Sequence, residues 1–84
     1  MTTEKKLEIL ISFLENNGIT VKSDRGDFKG GMVRYHDDKF LYLNRKLDSE
    51  SRIKLIIEEI KEMQLNPDVF DDTVSEIIRS DIEK

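Results

Sequence analysis

Few residues in this sequence are of types that do chemistry, and they are thinly spaced. His36-Asp37-Asp38 is the one run resembling metal ligands, and His36 is the sole histidine. A metal site needs three or four converging ligands, whereas adjacent residues in an extended segment point to opposite sides. A polar turn accounts for the run more simply. Ser12, Ser23, Ser49, Ser51, Ser75 and Ser80 are present, but none lies in the strand–turn–helix setting of a nucleophile elbow. Any Ser-His pair would have to use His36. There is no cysteine, so thiolate ligands and thiol nucleophiles are excluded. Lys29-Gly30-Gly31 with Arg34 resembles a phosphate cradle only in composition. Such a loop must open a helix whose N-terminus faces the anion, and here the glycines lead into a strand. No catalytic residue, metal site or cofactor is assigned.

The basic residues Lys29, Arg34, Lys39, Arg45 and Lys46 interleave with Phe28, Tyr35, Phe40 and Tyr42. That pattern can stack bases of single-stranded nucleic acid, but the aromatics are also what a sheet core requires. The net charge of −4 opposes general phosphate binding. The charge is uneven: residues 1–46 hold nine Lys/Arg and seven Asp/Glu, and residues 47–84 hold five and eleven. A basic first half favours acidic protein partners over nucleic acid. Arg34, Phe40, Tyr42 and Arg45 are therefore the candidate binding residues.

Periodicity sets the elements that must carry these residues. Leu7, Leu10, Ile11 and Leu14 repeat as one face of a helix over 3–17, widened by Ile9 and Phe13. Thr2 or Thr3 can cap it, and Asn16-Asn17-Gly18 stops it. Ile19–Lys22 suits a short strand, and Ser23-Asp24-Arg25-Gly26-Asp27 a loop. Phe28–Tyr35 and Phe40–Leu43 read as two strands joined through His36-Asp37-Asp38-Lys39. Phe40 and Tyr42 face one way, Leu41 and Leu43 the other, so both faces of that strand are apolar. One face must lie under helices; the other is partly covered or used for contact. Gly30-Gly31 predicts a bulge or a close backbone approach. Ile53, Ile56, Ile57, Ile60 and Met63 stripe a helix running to about Gln64, capped by Asp48 or Ser49 and ended by Asn66-Pro67. That stripe suits a core, or a seam between two copies. Thr73 and Glu76 have capping-box spacing for a last helix, whose Val74, Ile77 and Ile78, with Phe70 before them, should reach the core.

The whole, residues 1–84, predicts a single small α+β domain. It has an N-terminal helix, a small antiparallel sheet built on a β-hairpin, and two C-terminal helices packed on one sheet face. Apolar residues make up 37% and charged residues 38%; the regular spacing of the former argues for a fold rather than disorder. No apolar run is long enough to span a bilayer, and Met1–Lys6 lacks the form of a secretory leader. A small domain without disulfides suits the cytoplasm.

Gly30-Gly31-Met32-Val33-Arg34-Tyr35, Phe40-Leu41-Tyr42-Leu43-Asn44, Leu47 and Arg52–Ile57 together resemble a family of short uncharacterised bacterial proteins. That family has a Gly-Gly-x-x-Arg strand, a second strand ending in Asn or Asp, and a Leu/Glu-rich helix. The resemblance covers roughly residues 15–80 and implies no activity. The strands ending at Asn44 and the helix from Arg52-Ile53-Lys54-Leu55 also resemble the core of the ImmA/IrrE-type metallopeptidases. Their His-Glu-x-x-His falls on Ile57-Glu58-Glu59-Ile60-Lys61. Glu58 fits the glutamate, but Ile57 and Lys61 stand where the zinc ligands would be. This second resemblance implies a non-catalytic relative of that scaffold. The expectation is a non-enzymatic protein-interaction or regulatory module, binding an unknown protein partner or itself. The alternatives are a small metal-dependent hydrolase using His36, Asp37, Asp38 or Glu58, and single-strand binding by the hairpin.

Overall fold

Thr2 opens the first helix, its hydroxyl accepting the Lys5 N–H at 3.1 Å. The computed structural model describes residues 2–24 and 30–82. The first helix, α1, spans Thr3–Asn16. Asn17 ends it by donating its side-chain amide to the Phe13 carbonyl at 2.8 Å. Gly18 follows at φ 81°, a conformation costly for any residue with a Cβ. That reversal sends the chain directly into β1 (Ile19–Asp24).

β2 (Gly30–Tyr35) and β3 (Asp38–Asn44) form the expected antiparallel hairpin. Its connection is shorter than the sequence suggests. His36 and Asp37 alone make the turn, while Asp38 and Lys39 pair with Tyr35 and Arg34. His36 supplies the positive φ, 56°, needed at the first central position of such a turn.

The sheet order is β1-β3-β2, with β1 parallel to β3. The sheet is therefore mixed, not antiparallel throughout. β3 is apolar on both sides and takes the centre, where both its edges are paired. The edges fall to β1, with its polar Lys22-Ser23-Asp24 end, and to β2, with its glycines. Both are the poorer strand formers. Ser23 and Asp24 extend β1 where a loop was expected. The expected loop residues 25–27, and Phe28 and Lys29 of the second strand, lie outside the described residues.

The glycine pair makes no bulge. Gly30 pairs with Leu43 and Gly31 with Tyr42, one to one. Nor does another group press on Gly31, where a Cβ would meet nothing within 4 Å. What requires glycine is the backbone, at φ 153°.

α2 runs Ser49–Met63. Asp48 caps it, accepting the Ser51 N–H at 2.8 Å, and hydrogen bonding from the Ser51 side chain and then from this N–H holds the Asp48 carboxyl below its ordinary pKa. The helix ends before Asn66-Pro67, because Gln64 already turns left-handed at φ 50°, ψ 47°. Asn66 then caps a single 3₁₀ turn, Pro67–Val69. The last helix, α3, spans Asp72–Ile82. Its start is held by Asp71, which accepts the Val74 N–H at 2.8 Å, rather than by a Thr73/Glu76 box. Thr73 already lies inside the helix, beyond the position where a capping side chain can act.

One core joins these elements. Leu10 and Leu14 of α1, Ile19 of β1, Leu41 and Leu43 of β3, Ile56 and Ile57 of α2, and Val74 of α3 are almost wholly buried. Fully burying an aliphatic side chain of this size contributes about 1.5–3 kcal/mol. α1 and α2 touch the sheet at β1 and β2, and α3 packs on α1. The wide apolar face of α1 is thereby explained, since it meets β1, α2 and α3. Phe13 and Phe70 stack at 5.2 Å and tie the segment before α3 to α1.

Candidate binding face of the sheet

The alternation along β3 divides the sheet into two unlike sides. Leu41 and Leu43 point to the helices, with Ile19 and Val21 of β1 and Met32 of β2 beside them. Phe40 and Tyr42 point the other way and are half-buried. The registers place Val33 beside Phe40, Gly31 beside Tyr42 and Tyr35 beside Asp38 on that second side. Thr20 and Lys22 complete it from β1. Val33 is 46% exposed and Tyr35 64%, whereas the other large apolar side chains among the described residues, Val69 apart, are covered or partly covered. Among the described residues, the helices that touch the sheet lie on the Leu41 side.

This open side is aromatic and only lightly charged. The Phe40 and Tyr42 rings lie 6.5 Å apart, tilted by 42°. The Lys22 ammonium sits over the Phe40 ring, 4.9 Å from its centre, where the ring quadrupole attracts a cation. Tyr35 meets the His36 ring edge-on at 4.3 Å. Among the residues whose side chains are described, the surface combines apolar groups with one cation, Lys22, and one carboxylate, Asp38. Contacts to a partner would come from aromatic burial more than from ion pairing.

Of the four residues singled out from the sequence, Phe40 and Tyr42 share this face. Arg34 pairs with Lys39 and lies on the helix side of the sheet, exposed near the hairpin turn. Arg45 follows β3 at its opposite end. There its carbonyl accepts from Arg52 of α2 at 2.9 Å, tying the turn to the helix through its backbone. Asn44 closes the same turn, its side chain accepting the Lys46 N–H at 2.9 Å. Among the described residues, the basic side chains around the hairpin are thus dispersed and form no single stripe. Sequence reasoning left Val33, Tyr35 and Lys22 out of the candidate binding residues, Tyr35 having figured only among the interleaved aromatics. The first two were detectable, since Gly31, Val33 and Tyr35 alternate in step with Phe40 and Tyr42. Lys22 was not, because its position depends on β1 joining in parallel.

The other candidates are scattered. His36, Asp37 and Asp38 are exposed at and beside the turn, and no group of three or more His, Asp or Glu residues gathers as a metal site among the described residues. Glu58 and Lys61 are exposed on α2, while Ile57 is 1% exposed in the core. Glu59, beside Glu58 and one turn from Glu62, has its carboxyl pushed above the ordinary value by partial burial and by those two neighbours. A groove of 470 Å³ follows the seam between α2 and α3, floored by Leu65, Phe70 and Ile78 and rimmed by Lys61 and Arg79. No helix among the described residues is long and apolar enough to cross a membrane. No protein-family model, no curated protein and no solved structure matches the chain.

Proposed function

We propose that the protein is a non-enzymatic interaction module whose working surface is the open face of its sheet. The supporting observation is the contiguous set Val33, Tyr35, Phe40 and Tyr42, left accessible beside an otherwise well-covered core. Exposed apolar residues are common singly, but a continuous aromatic patch on one flat element marks a contact surface. Tyrosine and phenylalanine are also the residue types enriched at the centres of protein interfaces. The helices cover the opposite side of the sheet and supply the core on which this face rests.

The test compares the wild type with Val33→Asp and Tyr35→Ser as baits in an extract of the native host. Lys54→Ala, on the exposed side of α2, is the control. Circular dichroism first establishes that each variant is folded. The expected result is a set of captured proteins, or captured untagged copies of this chain, lost with both sheet variants and kept by the control. Identical capture by all four baits refutes the role of this face.

A further inference from the structure

The open face is complementary to itself. Among the residues whose side chains are described it presents three rows across the strands, and β1 and β3 run on past the Lys22 row to the pair Asp24 and Asn44. Lys22, Tyr42 and Gly31 form one end row, Thr20, Phe40 and Val33 the middle, and Asp38 and Tyr35 the other end. The end rows are opposites. On β2, one presents the exposed ring of Tyr35 and the other the bare backbone of Gly31, where a Cβ would meet nothing within 4 Å. In charge, one carries Asp38 and the other Lys22.

Consider a two-fold axis through the middle row, lying across the strands. It exchanges the end rows and keeps each strand over its own counterpart. Tyr35 then covers Gly31 of the second copy, a projecting ring over a bare patch. Lys22 meets the row holding Asp38 of the second copy, offset by one strand spacing of about 4.8 Å and one sheet separation of about 10 Å. An extended lysine and an aspartate together span that gap. Val33 and Phe40 meet their own counterparts at the axis. An axis along the strands would instead set Asp38 against Asp38 and Lys22 against Gly31, leaving both charges without an opposite, so charge selects the first arrangement.

Resting on the reading of this face as the binding surface, we propose that its occupant is a second copy of this chain. The two sheets pack face to face with their β3 strands antiparallel, an isologous pairing. Three strands of about 20 Å length cover a patch about 14 Å wide. That is well under the roughly 800 Å² per partner of a stable complex, so the dimer is weak, reversible and concentration-dependent.

Sedimentation equilibrium on the full chain, from micromolar to about 1 mM, reads the association directly. The wild type is expected to dimerise within that range. Lys22→Asp and Asp38→Lys should each weaken dimerisation by about tenfold or more through like-charge opposition. The double variant K22D/D38K should restore it, since each charge again meets its opposite. Tyr35→Ser should weaken it without rescue by either charge change. Isotope-filtered NMR on mixed labelled and unlabelled wild-type protein should show the Tyr35 ring against the Gly31 Hα of the second copy. A wild-type monomer at about 1 mM overturns self-pairing, while the extract capture above decides the wider reading separately. Dimers weakened by both single changes and not restored by the double overturn the antiparallel arrangement. Dimers unaffected by Lys22, Asp38 and Tyr35 variants overturn the use of this face for self-pairing.

Discussion

Neighbouring residues on β3 should respond very differently to substitution, because one side of the sheet is core and the other is open. Leu41 is 0% exposed on the central strand, between Val21 and Met32 and under the helices. Leu41→Ala removes buried methyl groups and leaves a cavity bounded by strands on both sides, so the site cannot easily collapse. The expected cost is about 2–5 kcal/mol. A domain of this length has a total stability of roughly 4–13 kcal/mol, so this one change removes a large share. At about 4–8 °C per kcal/mol, the melting temperature should fall by roughly 8–40 °C. Val33→Thr is the matched comparison on the other side. It keeps the β-branch, and Val33 is already 46% exposed, so the cost should stay within about 0.5 kcal/mol. Urea unfolding followed by circular dichroism, on dilute protein so that association contributes nothing, gives both values. Equal urea slopes would confirm that the unfolded states are alike. A Val33→Thr cost matching that of Leu41→Ala would refute the two-sided sheet, as would a Leu41→Ala cost under about 1 kcal/mol.

Four further outcomes follow from particular residues. Asp71→Ala removes the bond to the Val74 N–H that starts α3, and should cost about 0.5–2 kcal/mol in urea unfolding; Thr73→Ala should cost less. Gln64→Gly relieves the left-handed conformation at the end of α2 and should raise stability by about 1 kcal/mol, seen as a higher urea midpoint. Glu59 has a raised folded pKa, so its ionised form opposes folding at neutral pH, and that opposition fades as pH falls through the raised value toward 4.5. Glu59→Gln should therefore raise the melting temperature near neutrality and lose this advantage below pH 4.5. Asp48 has the opposite sign: its lowered pKa adds stability above pH 3.8, lost as pH falls through the folded value, and Asp48→Asn should flatten that part of the pH profile.

The kind and order of the elements and the composition of the core were legible in the residues alone. Helical spacing marked α1, α2 and α3, and the buried residues Leu10, Leu14, Ile53, Ile56, Ile57, Ile60, Val74 and Ile77 all lie on the predicted stripes. Alternation along β3 separated Leu41 and Leu43 from Phe40 and Tyr42. These features are local, set by the 3.6-residue and 2-residue periods of the backbone. Helix boundaries were less readable wherever several polar residues competed for one cap, as Asp71 did with Thr73, or where Gln64 took a conformation that usually belongs to glycine. Tertiary structure alone decided the strand order. Parallel pairing of β1 with β3 joins segments about twenty residues apart, and no local period encodes it. That pairing brings Lys22 over Phe40, places Val33 and Tyr35 beside the central strand, and leaves Arg34 and Arg45 elsewhere. The aromatic residues were visible from the start; their gathering on one open side, with Gly31 and Tyr35 at opposite ends, depends on which strand edges found each other.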